Sequence, residues 1–339
     1  MRKVVISGPR RAALEEVPDP QPKGDWVVVK VHAAPMCTEY KAFLSGQNWD
    51  TLGHEAVGEV AAIAQPGRVR VGDRVVVLPQ FSCGRCQHCL AGEYVYCEDS
   101  HDFAQVHGSY NGSGTMAQYL VKPDWLLLPI PEGMSYERAA LSGCALGPSF
   151  GAYRRIGLSP FDTVLITGAG PVGLGAVVNA HFWGARCIVV ESIPYRVERA
   201  RRMGVEHVLD PADPDLVAKI RDLAGGRGVD CALECAGVAA AQRVCLEATR
   251  RRGRVAFVGE CYEEQLTITV SPDLIRTGLT VVGSWYYNIA DVAAVLRVIE
   301  RSPLLDHLVS HVLPMSRIQE AFELSASHEC AKVILKPWE

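Results

Sequence analysis

Residues 163–175 read TVLITGAGPVGLG, and this stretch restricts the fold more than any other part of the chain. An apolar run stops at Gly168, and glycines recur at Gly170 and Gly173 as a helix-compatible segment, PVGLGAVVNAHFWGA, begins. A GxGxxG pattern is informative only in this setting, directly after a strand and opening a helix. The first glycine permits a tight turn, the second lets a pyrophosphate approach the backbone, and the third lets helix and strand pack closely. The helix N-terminus then offers amides and a favourable dipole to the phosphates. Gly168, Gly170, Pro171, Val172 and Gly173 are therefore assigned to a dinucleotide. The next strand, RCIVVES, ends in Glu191, 18 residues after Gly173. A carboxylate there accepts hydrogen bonds from the adenosine ribose and repels a 2′-phosphate, which favours NAD over NADP. Arg196 could stack on adenine or pair with a phosphate, and it keeps NADP as the lesser alternative.

The same region could be mistaken for a membrane span, because residues 163–185 contain no Asp, Glu, Lys or Arg. Five glycines and Pro171 interrupt it, and its first half reads as a buried strand. No membrane association is expected. The formal charge of −4 likewise gives no electrostatic reason to expect a nucleic acid or an acidic membrane as partner. A small-molecule substrate is expected instead.

A length of 339 residues suggests two domains. Up to about residue 150, short β-like runs such as DWVVVKV (25–31), GEVAAIA (58–64) and GDRVVVLP (72–79) are broken by Gly and Pro, which points to a mostly antiparallel β-domain. Beyond it, strand candidates at VDCALECAG (229–237), GRVAFVGE (253–260) and LTVVGSWYY (279–287) alternate with helical segments. Parallel neighbours need crossover helices, so this half reads as a doubly wound α/β sheet. A helix near 290–302 and a final strand, AKVILKPW, could return to the first domain.

Twelve cysteines in a chain whose start, MRKVVISGPRRAALEEV, does not resemble a secretory signal fit a reducing cytoplasm. Cys83, Cys86, Cys89 and Cys97 follow C-x2-C-x2-C-x7-C, and one loop of that spacing can wrap four thiolates around a tetrahedral ion. An iron–sulfur cluster is the alternative, but no Pro follows Cys97 and no second cysteine set accompanies it. A closed four-thiolate shell leaves no position for substrate, so this zinc is expected to be structural. Cys37, His54, Glu55 and Cys144 are also metal-binding types, scattered through the first 150 residues. Sequence distance alone does not bring them together, and singly they read as packed thiols and a hydrogen-bonded histidine.

Taken in order, GHEAVGEV, GDRV, the four-cysteine loop, GAGPVG, ECAG and GRVAFVG resemble the zinc-dependent medium-chain alcohol and polyol dehydrogenases over nearly the whole chain. The resemblance implies a GroES-like catalytic domain (1–149, completed by 286–339) and a Rossmann domain (150–285). By position, Cys37, His54 and Cys144 match the catalytic zinc ligands, and Glu55 matches a carboxylate that ligates zinc or sits behind it. The fourth ligand stays open. Val258 and Gly259 of GRVAFVG join the cofactor set. Two zinc ions per chain, one catalytic and one structural, are implied, with a homodimer or homotetramer joined through Rossmann edges near 265–285. Such an enzyme would oxidise a secondary alcohol (a polyol, sugar or cyclitol) to a ketone, passing hydride to NAD while zinc polarises the alcohol oxygen. The alternatives are a zinc-free enoyl or quinone reductase of the same superfamily and a non-catalytic NAD- or zinc-binding protein.

One position departs from the family. A proton-relaying Ser or Thr usually stands two residues after the zinc cysteine, where this chain has Glu39. Glu39 relays the proton itself, or ligates zinc, or a local shift brings Thr38 into place. Trp285, Tyr286 and Tyr287 fall where polyol dehydrogenases reach the substrate, and His101, Asp102 and Phe103 form a second candidate cleft-lining loop.

Overall fold

The structure is a computed structural model and describes residues 1–262 and 264–339. Its chain divides into two compact units: Met1–Gly143 with Asn288–Glu300 and Val309–Glu339, and Cys144–Tyr287 with Arg301–Leu308. These limits differ by a few residues from the division at 149/150 and 285/286. Packing explains the first difference. A Cβ on Gly175 would stand 1.7 Å from the Ala145 carbonyl oxygen, and Asn179 Nδ2 donates to the Leu146 carbonyl at 3.0 Å. The chain after Cys144 is thus bound to the helix Pro171–Phe182.

In the first unit, a seven-stranded sheet runs along the six strands Val309–Pro314, Lys332–Lys336, Trp26–Pro35, Ala56–Ala62, Arg74–Val77 and Leu127–Pro129, with the seventh, Tyr119–Pro123, also paired to Trp26–Pro35. All pairings are antiparallel except that of Val309–Pro314 with Lys332–Lys336. The valine run makes Trp26–Pro35 the centre of the unit. Successive side chains of a strand point to opposite faces. Accordingly Val27, Val29 and Val31 enter the main core with Phe43, Leu120 and Phe322, while Trp26 and Val28 pack on Phe103 and Val121. A strand buried on both faces positions whatever follows it firmly, and Cys37 follows it.

The second unit is a six-stranded, wholly parallel sheet. Its spatial order is His207–Leu209, Arg186–Val190, Thr163–Thr167, Val229–Glu234, Thr249–Phe257 and Thr280–Gly283. Numbered along the chain this is 3-2-1-4-5-6, the Rossmann order, whose direction reverses between Thr163–Thr167 and Val229–Glu234. The strand expected over 279–287 is shorter: after Gly283 the chain turns, with Tyr286 in the left-handed region at φ 67°. Among the described residues no helix is long and apolar enough to cross a membrane.

Candidate functional site

Strand pairing gathers the scattered residues. Trp26–Pro35 and Ala56–Ala62 are antiparallel, with Ala33 opposite Val57, so the chain leaving the first strand and the chain entering the second lie at one sheet end. Cys37 stands on the former, and His54 and Glu55 on the latter. Cys144 directly follows Gly143, the end of the unit's first segment. One potential ligand atom from each of Cys37, His54, Glu55 and Cys144 lies within 4.8 Å of all the others. Two thiols, an imidazole and a carboxylate at that spacing are a donor set suited to zinc.

Glu39 stands behind this set. It is 1% exposed, its Oε1 is 2.8 Å from His54 Nδ1, and its Oε2 accepts the Cys37 backbone N–H at 2.7 Å. Oε2 is thus hydrogen-bonded at Cys37, while Oε1 lies at ion-pair distance from His54 without an aligned hydrogen bond. With Nδ1 turned to Glu39, His54 presents Nε2 to a metal, the arrangement in which an outer carboxylate fixes the tautomer of a ligating histidine. Burial by itself would lower the His54 pKa, but the Glu39 and Cys37 partners raise it well above the usual value. Burial likewise works to raise the Glu39 carboxyl, and His54 and the Cys37 amide bring it below its ordinary value. Thr38 is half-buried beside Cys37, and its carbonyl accepts from Lys41 N.

Three further residues complete the surroundings, and none was singled out from the sequence. Ile334 pairs with Pro35, which brings Lys332, fully buried, to the Cys37 end of the sheet, where its ammonium meets Glu55 Oε1. Burial pushes the Glu55 carboxyl up to about 7, against the opposing pull of Lys332. Gly143 leaves room for that carboxylate: a Cβ there would stand 2.5 Å from Glu55 Oε2. Asn288 braces the four-cysteine loop. Its Nδ2 donates to the Ala91 carbonyl at 2.8 Å and to Glu93 Oε1 at 3.0 Å, and Ile289 N donates to the Gly92 carbonyl.

That loop brings Cys83, Cys86, Cys89 and Cys97 within the same 4.8 Å limit. Backbone amides already point at sulfur: Cys83 N lies 3.2 Å from Cys97 Sγ, and Cys86 N 3.3 Å from Cys83 Sγ. Amide donors favour thiolate over thiol, and the Cys86 pKa is lowered to about 6, chiefly by the backbone at Cys89. Burial pushes Cys89 the other way.

In the second unit the glycine turn stands between strand and helix as its spacing predicts. Gly168 takes φ 81°, and Gly170 caps the helix that opens with Pro171. The third glycine serves the turn itself, since a Cβ on Gly173 would stand 1.8 Å from the Gly168 carbonyl oxygen. Arg196 reaches over the turn, with Nη1 3.6 Å from where a Gly170 Cβ would be. The Glu191 carboxylate is buried and accepts from Ala169 N, Ser192 N and Ile193 N at 2.8 to 2.9 Å, so it braces the turn. Val258 N and Gly259 N both donate to the Glu234 carbonyl at 2.9 Å, at the neighbouring strand end.

The aromatic candidates divide. Trp285 is 44% exposed, whereas Tyr286 and Tyr287 are buried and stacked at 4.8 Å. In the loop at 101–103 the side chains have structural tasks. Asp102 caps the helix Phe103–His107 by accepting from Gln105 N, Phe103 is a core residue, and His101 packs edge-on to Trp26.

Residues 23–132 match the family described as alcohol dehydrogenase GroES-like domain, and residues 171–301 match the zinc-binding dehydrogenase family. Sorbitol dehydrogenase of Bacillus subtilis (strain 168) is 32% identical over 99% of this chain and 97% of its own. The chain belongs to the zinc-type alcohol dehydrogenases. L-threonine 3-dehydrogenase of Pyrococcus horikoshii is 31% identical over 95% of this chain and 94% of its own. Alcohol dehydrogenase TADH from Thermus sp. ATN1 superposes with a TM-score of 0.88 at 30% identity, covering 99% of each chain. This zinc-type alcohol dehydrogenase is accordingly an oxidoreductase for a small molecule, with the GroES-like and Rossmann folds that its motifs imply.

Proposed function

We propose that this dehydrogenase oxidises a secondary alcohol, borne by a polyol, sugar or cyclitol, to a ketone with NAD as hydride acceptor. The observation that carries the reading is the convergence of Cys37, His54, Glu55 and Cys144 within 4.8 Å. Cys37, His54 and Cys144 hold the catalytic zinc, with Glu55 as fourth ligand or directly behind it. Cys83, Cys86, Cys89 and Cys97 hold a structural zinc. Bound at the first set, zinc supplies a Lewis acid for the alcohol oxygen.

The chain's own residues orient and transfer. Glu39 acts through His54 by holding Nδ1, and its contacts with His54 and the Cys37 amide speak against relay or direct ligation. The relay then falls to Thr38, which neighbours Cys37 in the chain and is half-buried. Trp285 contributes to the substrate wall, and the buried, stacked Tyr286 and Tyr287 carry the hydroxyls offered to substrate. Gly168, Gly170, Pro171, Val172, Gly173, Arg196, Val258 and Gly259 hold the dinucleotide, and the negative charge of Glu191 favours NAD over NADP. The names of two relatives, sorbitol dehydrogenase and L-threonine 3-dehydrogenase, support an alcohol-bearing substrate. A homodimer or homotetramer working in the cytoplasm completes the reading. The edge strand Thr280–Gly283 and the exposed Val270 and Ile275 support assembly there.

The test is an NAD-reduction screen over primary alcohols, secondary alcohols, polyols and sugar acids, repeated with NADP and accompanied by metal analysis. Turnover of a secondary alcohol with NAD and two zinc ions per chain is expected. Fewer than two zinc ions with enoyl or quinone reduction would overturn the reading, and a preference for NADP would overturn the role of Glu191.

A further inference from the structure

A concave groove of about 660 Å³ on the second unit is lined by five arginines, Arg221, Arg227, Arg243, Arg250 and Arg251, against two carboxylates, Glu247 and Asp273. The carboxylates do not neutralise the whole set. Arg243 takes both, through paired contacts to Asp273 at 2.6 and 2.8 Å and one to Glu247 at 2.8 Å. Arg250 is paired with Asp230 at 2.7 Å. Arg221 spends its donors on the Glu247 main-chain carbonyl, which leaves its charge uncompensated. The exposed Arg227 and Arg251 guanidinium groups have no hydrogen-bond or ion-pair partner among the described residues, the Arg251 main-chain carbonyl alone accepting from Arg250 Nη1. Three guanidinium charges therefore share one hollow without counter-charge.

The backbone builds this presentation. Along Thr249–Phe257 the register against Val229–Glu234 jumps from Val229 opposite Thr249 to Cys231 opposite Arg254. The extra residues bulge out of the sheet, with Arg252 held at φ 63° and its N–H bonded to the Thr277 carbonyl at 2.8 Å. A bulky side chain in the left-handed region is costly, and such positions concentrate where function requires them. Arg221 and Glu247 lie in the last turns of their helices, and Thr249 begins its strand. The groove thus opens at the strand-start end of the sheet. The glycine turn and Glu191 sit at strand ends, on the opposite edge.

We propose that this groove is a second ligand site, distinct from the dinucleotide site, which takes a small anion bearing two or more phosphates. Arginine forks match phosphate oxygens bidentately, and a cluster held open by its own repulsion gains most from a multivalent anion. The hollow is compact and the chain is acidic overall, which favours a small molecule over a nucleic acid.

Inorganic tripolyphosphate, titrated calorimetrically into zinc-loaded protein saturated with NAD at constant ionic strength, tests this directly. Saturable binding of one equivalent per chain is expected. Arg227→Ser/Arg251→Ser, which touches no partner, should weaken it at least tenfold, while Arg68→Ser/Arg70→Ser, an equal charge change on the first unit, should leave it intact. No saturable binding overturns the proposal, as does equal weakening by both double variants. Tighter binding of duplex DNA than of tripolyphosphate, lost in the same variant, would also overturn it.

Discussion

Lys332 and Glu55 form a fully buried ion pair between residues 277 positions apart in the chain. Burying two charges is expensive, and their attraction offsets that cost only while both remain. The pair supports a donor set on one side and the central strand of the first unit on the other. Lys332→Met should therefore cost about 3–5 kcal/mol of stability, because Glu55 is left buried without its counter-charge and must protonate or remain unpaired. Lys332→Met/Glu55→Gln should recover most of it. Chemical unfolding of the single and double variants checks this, and an uncompensated loss in the double would separate the two residues.

Glu39→Gln should weaken zinc at the Cys37 set by about 10- to 100-fold, the usual effect of removing a carboxylate behind a ligating histidine. A chelator competition assay reads the change. Turnover by the fully zinc-loaded variant should keep its pH profile, because Glu39 acts through His54. A lost or displaced pH limb would return the proton relay to Glu39.

At the four-cysteine loop, Cys86→Ser should remove one zinc equivalent and lower Tm. The remaining zinc should still support turnover below the new transition. Metal content, thermal unfolding and kcat measured on one preparation distinguish this from a catalytic role, in which kcat would collapse in folded protein.

Zinc at the Cys37 set should be lost as pH falls. The raised His54 pKa means that metal must displace the Nε2 proton of an imidazolium that Glu39 stabilises from Nδ1, so zinc binding releases protons. Zinc affinity measured from pH 8 to pH 6 should fall more steeply for wild type than for Glu39→Gln, whose His54 has lost the neighbouring charge.

Glu234 offers a test in the second unit. Burial raises its pKa from 4.5 to about 7, although Ala236 N and Gly237 N donate to Oε1. A folded pKa above the unfolded one means stability that is complete below pH 4.5 and lost as pH rises through 7. Glu234→Gln should therefore gain on wild type by up to about 3 kcal/mol between pH 4.5 and pH 8. Urea midpoints of the apoprotein at the two ends give the difference, and parallel curves would count against it.

What could be read without coordinates was local. The glycine turn and the cysteine loop declare themselves within about fifteen residues, since each is built by neighbours in sequence. Glu39 was visible as a relay or zinc-shell residue two positions after Cys37, but its approach to His54 Nδ1, at 2.8 Å, cannot be read by counting along the chain. Lys332 gave no sign. A lysine in AKVILKPW is expected to point to solvent, and only antiparallel pairing with Trp26–Pro35 reveals it as the counter-charge of Glu55. Gly143 was hidden for the same reason: the group that requires it is supplied by another strand. Asp102 and Phe103 err in the opposite direction, because polar and aromatic residues in a loop suggest a cleft while here they cap and fill.

The two metal loops also differ in how much chain each must wait for. A ribosome that has released Cys83 to Cys97 has delivered all four ligands of the loop, together with the amides aimed at their sulfurs. The Cys37 set is different: Cys144 follows its first ligand by more than a hundred residues, and the counter-ion of Glu55 emerges nearly two hundred later still. Metal could thus enter the loop while synthesis continues, whereas the Cys37 set is complete with its counter-ion only once Lys332 has emerged. A nascent chain stalled anywhere between would carry the complete four-cysteine loop without the complete Cys37 set.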